Sequence, residues 1–137
     1  MIRIYLRYFS FAFYLVARFI LLFSPSRKPR PRSLLVLKPD AIGDYVLMRN
    51  FLRYLRNSER FKGYHVTWCG SSVQKSIIDH FDQSLFDDFV WIDKSRIYRD
   101  VMYYASMAVK LYQRHEVVIH PVYSREFIFD FYAKITA

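Results

Sequence analysis

The sequence predicts an α/β domain built on a parallel sheet of about four strands and preceded by an amphipathic helix. Three observations support this. From Ser33 onward, short apolar runs alternate four times with helical periods, which implies parallel strands joined by right-handed crossovers. The 137 residues leave room for one domain. Charge and hydropathy also divide the chain. Seven of its 21 basic residues and none of its 12 acidic ones fall in the first 32 positions, within its most apolar part. The expected organisation is a hydrophobic helix over 1–23, a basic linker over 24–32 and the α/β domain over 33–137.

Residues 1–23 form a nearly unbroken apolar and aromatic run. On a helix, Arg3, Arg7, Ser10, Tyr14 and Arg18 fall within about 80° of one another. A narrow polar stripe against a broad Phe/Leu/Ile/Tyr surface suits a helix lying in the headgroup region of a membrane. Two rivals remain. One is a spanning helix, since 22 residues at ~1.5 Å each reach about 33 Å and Arg7 and Arg18 would snorkel. The other is a helix buried on the domain itself, with its stripe turned to solvent. A cleaved signal peptide is not expected, because no small-x-small site precedes the Pro/Arg stretch.

Residues 24–32, S-P-S-R-K-P-R-P-R, read as an extended linker. Its Arg27, Lys28, Arg30 and Arg32 would meet anionic lipid, on the cytoplasmic side by the positive-inside rule. The net charge of +9 therefore points to a membrane surface as partner and not to nucleic acid.

The organising stretch is S-L-L-V-L-K-P-D-A-I-G-D-Y-V-L, Ser33 to Leu47. Ser33 to Leu37 reads as a buried strand, stopped by Pro39. Gly43 permits a tight turn or a close backbone approach by a ligand. A helix runs from Asp44 to about Arg60. Lys38, Asp40, Gly43 and Asp44 thus gather at the carboxyl end of the strand, where open α/β sheets bind ligands. Asp44 has two readings: a helix cap, or a general base with Lys38 near enough to tune it or to contact an anion.

This stretch resembles the N-terminal motif of glycosyltransferase family 9, the lipopolysaccharide heptosyltransferases and their relatives. Lys38, Gly43 and Asp44 match the basic residue and the Gly-Asp pair of that motif, and Asp40 matches an acidic residue many members carry. Tyr123 to Glu126 and Asp130 to Thr136 also look family-like. The resemblance implies two Rossmann-like domains facing across a cleft, with acceptor on the first and nucleotide-activated sugar on the second. It implies that Asp44 takes the proton of the attacking hydroxyl. It also implies that no metal or other cofactor is needed, the nucleotide sugar being a substrate.

The remaining elements follow in order. Arg49, Arg53, Arg56 and Arg60 share one helix face, read as solvated or as a second contact with lipid or an acceptor phosphate. Tyr64 to Gly70 is a strand, and a helix follows to about Phe81. Cys69, the single cysteine, reads as a buried, inert thiol. Phe86 to Ile92 is the third strand, and Arg96 to Arg114 one longer helix. Glu116 to Val122 is the fourth strand, with His120 at its carboxyl end. Ser124 would cap the last helix. Arg125 leaves that strand placed either to grip an anionic acceptor group or to pair with Glu126 or Asp130. No dinucleotide-binding or Walker pattern occurs. The whole reads as the first half of a doubly wound, Rossmann-like domain.

The expected function is transfer of a sugar from a nucleotide sugar to a lipid-linked saccharide, at the cytoplasmic face of the inner membrane. The protein would be peripheral or single-span. The donor-binding domain of the family is missing, so a truncated and nearly inactive chain is expected unless a separate donor-binding domain completes it. The alternative is a non-catalytic, membrane-bound module that binds saccharide or a partner.

Overall fold

The computed structural model describes residues 2–122 and 125–137, with side chains from residue 11 onward. The chain runs α1 (Ile2–Leu22), β1 (Arg30–Lys38), α2 (Ile42–Asn57), β2 (His65–Ser71), α3 (Lys75–Phe81), β3 (Asp88–Ile92), α4 (Lys94–Ile97), α5 (Val101–Leu111), β4 (His115–Ile119) and α6 (Phe127–Thr136). All four strands are parallel, in the order β3-β2-β1-β4, with helices on both faces. This is the expected Rossmann-like architecture.

The inner strand explains its own sequence. A central strand covered on both faces needs apolar residues at every position, and Leu34 to Leu37 are fully buried. Successive side chains alternate in direction. Leu34 and Val36 join Tyr45, Leu52, Trp68 and Ile78 under α2 and α3. Leu35 and Leu37 join Cys69, Tyr104, Phe131 and Tyr132 under α5 and α6. Burial pushes the Cys69 thiol up to about 12, which fits an inert packing residue.

The same second face carries α1. Phe13, Ala17 and Leu21 are buried in the core, and Tyr14 packs edge-on against the Phe127 and Phe131 rings. The described part of α1 is therefore docked on the domain, the reading that ranked below a helix embedded in lipid. Its polar stripe does not simply face solvent: Tyr14 turns inward, while Arg18 is exposed. The outer side is apolar, with Phe11, Leu15, Phe19, Leu22 and Phe23 all exposed. Among the described residues, no helix is long and apolar enough to cross a membrane. Arg3 and Arg7 lie outside the described side chains.

Several boundaries differ from expectation for physical reasons. β1 begins at Arg30, inside the expected linker, because a bulge between Arg30 and Leu34 lets it pair with β4 across Pro31 and Arg32. Arg32 sits at φ 52°, donates its backbone N–H to Glu116 Oε2 at 2.5 Å and its guanidinium to the Lys62 carbonyl at 2.8 Å. These contacts make it structural. The stretch 96–114 is two helices, since Asp93 and Asp100 each accept backbone amides as caps, of Ser95 and Arg96 and of Tyr103. β4 ends at Ile119 and leaves His120 just beyond it.

Gly70 leaves room for two side chains. A Cβ there would stand 2.2 Å from Trp68 Nε1 and 2.3 Å from Gln74 Oε1. Gly70→Ala is expected to cost about 1–3 kcal/mol through overpacking, read as a lower urea midpoint. An unchanged midpoint would show that Gln74 can move aside.

Candidate functional site

The sheet order places β1 between β2 and β4, so the chain switches direction of winding at β1. Ligand crevices in such sheets lie outside the carboxyl ends at this point. Lys38 ends β1 there. Its ammonium is buried and pairs with Asp40 at 2.5 Å. Gln74, fully buried in the turn after β2, donates to the carbonyls of Lys38 at 3.1 Å and Asp40 at 2.8 Å. One amide thereby fixes the loop that leads into α2.

Asp44 lies in the first turn of α2, exposed, and makes no hydrogen bond or ion pair among the described residues. The cap position belongs to Ala41, which offers no side-chain bond. Asp44 is thus a free carboxylate on the helix's positive end and not a cap. Gly43 lies within the same turn, and a Cβ there would meet nothing within 4 Å. The tight-turn reading of Gly43 lapses, while open space for a ligand remains.

Residues distant in sequence also reach this edge of the sheet. His120 Nδ1 hydrogen-bonds the Leu37 carbonyl at 2.8 Å, and its Nε2 stands 3.6 Å from Asp130 Oδ1. Tyr98 donates a short hydrogen bond to Glu126, which also faces Lys94 at 3.6 Å. Burial, then the Glu126 hydrogen bond and charge, then the Asp40 charge raise the Tyr98 phenol well above its ordinary value. Tyr98 therefore stays protonated and within the electrostatic reach of Asp40. Neither Tyr98 nor Gln74 is marked in the sequence, although Asp100 as a cap signal would have exposed the break at Tyr98. Arg125 is exposed and pairs with neither Glu126 nor Asp130 among the described residues. Tyr123 and Ser124 lie outside the described residues, and Glu126 holds the cap position of α6.

α2 ends at Asn57, short of Arg60, and Arg53 and Arg60 are exposed as on a solvated face, while Arg49 and Arg56 are held by carboxylates. Arg49 and Arg53 bind Asp82, and Arg56 makes paired bonds of 2.9 and 3.1 Å to Asp87. Only Arg60 of the four lacks a carboxylate partner among the described residues, its guanidinium lying over the Phe61 ring. No group of three or more His, Cys, Asp or Glu is gathered as metal ligands among the described residues. A cavity of about 400 Å³ lies at the opposite, amino edge of the sheet, away from Asp44.

The fold is a Rossmann-like α/β domain, and near its switch point the Asp44 carboxylate has no partner among the described residues. No family model, curated protein or solved structure matches the chain.

Proposed function

We propose that the carboxyl edge receives a saccharide acceptor and that Asp44 is the general base of a glycosyl transfer. The acceptor oxygen would bond to the donor's anomeric carbon, the nucleotide diphosphate would leave, and the hydroxyl proton would pass to the Asp44 carboxylate. The observation that carries this reading is an exposed carboxylate, unpartnered among the described residues, in a helix's first turn beside the open Gly43 backbone. The Lys38–Asp40 pair fixes the loop beneath it. Arg125, exposed and unpaired among the described residues, suits an anionic group of the acceptor. In the resembled family the nucleotide sugar occupies a second domain, so a donor-binding domain is the partner this reading requires. Lipopolysaccharide biosynthesis is the matching setting.

The exposed apolar side of α1, with Arg18 beside it, supports peripheral contact with an anionic membrane, at the cytoplasmic face where nucleotide sugars occur. Phe19→Ser combined with Leu22→Ser is expected to reduce co-sedimentation with anionic vesicles and leave the unfolding midpoint in place. Undiminished sedimentation would rule this contact out.

Titration with a core-truncated lipopolysaccharide, read by hydrogen exchange, tests the acceptor site. Protection is expected at the amides of 38–44; protection confined to other segments would refute the placement. A second reading, a saccharide-binding module without chemistry, draws on the cavity's distance from Asp44. It is distinguished by acceptor binding that persists with no transfer when a donor domain is supplied.

A further inference from the structure

The basic linker runs into a built site at the amino edge of the sheet. Around the cavity stand five cations, Arg27, Lys28, Arg30, Lys110 and Arg114, and one acid, Asp88. None of the five makes an ion pair among the described residues. Like charges gathered around one hollow repel one another, and an anion between them reverses the sign of that interaction. Two polar atoms of lining residues, Arg27 Nη1 and His115 Nδ1, are buried without a hydrogen-bond partner among the described residues. His115 is only 7% exposed, and its Nε2 is 2.9 Å from the Thr67 hydroxyl. With that hydroxyl donating to Nε2, Nδ1 carries the proton and is a buried donor without a partner among the described residues, in a ring beside the cavity.

The backbone holds these groups in place. The β1 bulge sets Arg30 opposite His115. Gln113, at φ 46°, accepts the Arg27 amide at 2.9 Å and the Ser26 hydroxyl at 3.3 Å, which pins the linker over the α5–β4 turn. Phe89, Val90 and Leu111 supply an apolar wall. At about 400 Å³ the space falls within the small-ligand range and exceeds what one phosphate fills. Arginine forks match phosphate oxygens in geometry as well as charge.

We propose that this amino-edge pocket binds a phosphate- or diphosphate-bearing ligand, gripped by Arg27, Arg30, Arg114 and the His115 ring. Such a phosphate can belong to a lipid headgroup or to a soluble metabolite. Phe23 precedes Arg27 by four residues, at most about 14 Å of chain, so the exposed end of α1 lies within reach of a lipid tail. The pocket is independent of the Asp44 reading, at the other end of the sheet.

The test uses the full chain and inorganic pyrophosphate, followed through the His115 ring resonances. Burial, then the charges of His65, Arg114 and Arg30, hold the His115 pKa down to about 4, with Asp88 opposing and Lys110 on the same wall. A saturable shift is expected, together with a rise in the pH at which the ring titrates. Lys110→Gln with Arg114→Gln, both exposed, should weaken binding about tenfold or more, while Lys75→Gln, exposed at the opposite, carboxyl edge of the sheet, should not. Competition by phosphatidic acid vesicles, but not by pure phosphatidylcholine, assigns the phosphate to a lipid headgroup. Pyrophosphate binding that neither vesicle disturbs assigns it to a soluble ligand. No saturable shift at His115, or equal weakening by Lys75→Gln, overturns the proposal.

Discussion

Asp82→Ala is expected to lower stability at neutral pH by about 3 kcal/mol, the low end of the range for breaking a buried ion pair. Asp82 is 1% exposed at the end of α3. It accepts from the buried Tyr45 hydroxyl at 2.7 Å, from Arg49 at 2.5 and 3.1 Å, and from Arg53 at 3.3 Å. Removing it strands Tyr45, fully buried beneath α2, and leaves Arg49 without its anion. Arg53 is half exposed and adds little, so Arg53→Ala alone should cost under about 1 kcal/mol. The loss should also depend on pH. Burial by itself raises the Asp82 pKa; hydrogen bonds from Arg49 and Tyr45 outweigh that and hold it below the ordinary carboxylate value. The contribution is therefore complete above the unfolded-state pKa near 3.8 and disappears as pH falls through the lower folded value. Urea melts at pH 7 and pH 3 check this: a gap between native and variant at pH 7 should narrow at pH 3, which lies below the unfolded-state value. A gap of the same size at both would show that Asp82 acts by packing and not by charge.

Asp82 also marks the limit of what the residues disclose on their own. The spacing of Arg49, Arg53 and Arg56 places them on one helix face, but periodicity cannot name what covers that face. The covering acids, Asp82 and Asp87, belong to the α3–β3 connection and meet α2 only through the fold. The core behaves differently. Leu34 to Leu37 announce a strand buried on both sides because that environment dictates every position. Arg30 to Arg32 conceal the strand's true start because a bulge tolerates polar residues. The segment over 96–114 keeps its core spacing from Val101, but Asp100 breaks the helix by capping a new one. On α1, amphipathicity found the two faces and left docking on the domain as one alternative among three, because the surface that takes the helix is made only by the fold. The site divides along the same line. Lys38, Asp40, Gly43 and Asp44 lie in one contiguous run at a strand's end and could be located directly. Gln74, Tyr98 and Glu126 arrive from three other elements, so contact with that run is a property of topology. The linker cations were visible as charge, yet their convergence with Lys110, Arg114 and His115 required the strand starts to be aligned.

Asp44→Asn, with a donor-binding domain supplied, is expected to reduce sugar transfer by roughly 10²–10⁴-fold, the usual contribution of a positioned general base. The amide preserves shape and polarity but cannot accept the acceptor's proton as that oxygen attacks. Stability should barely change. The side chain has no partner among the described residues to lose, and a single charge at a helix N-terminus contributes only about 0.3–1 kcal/mol. Lys38→Met should behave in the opposite way. Lys38 is buried against Asp40, so its removal strands a half-buried carboxylate and loosens the loop, and stability falls first. The two variants together separate chemistry from scaffolding. A transfer rate unchanged in Asp44→Asn would remove Asp44 from the reaction. A rate that falls only in proportion to lost folded protein would reduce both residues to structural ones. The informative pattern is a fully folded Asp44 variant that still binds acceptor and no longer transfers sugar. That pattern is expected because this carboxylate, unlike Asp40, Asp82, Asp87, Asp93 and Asp100, is committed to no other bond among the described residues.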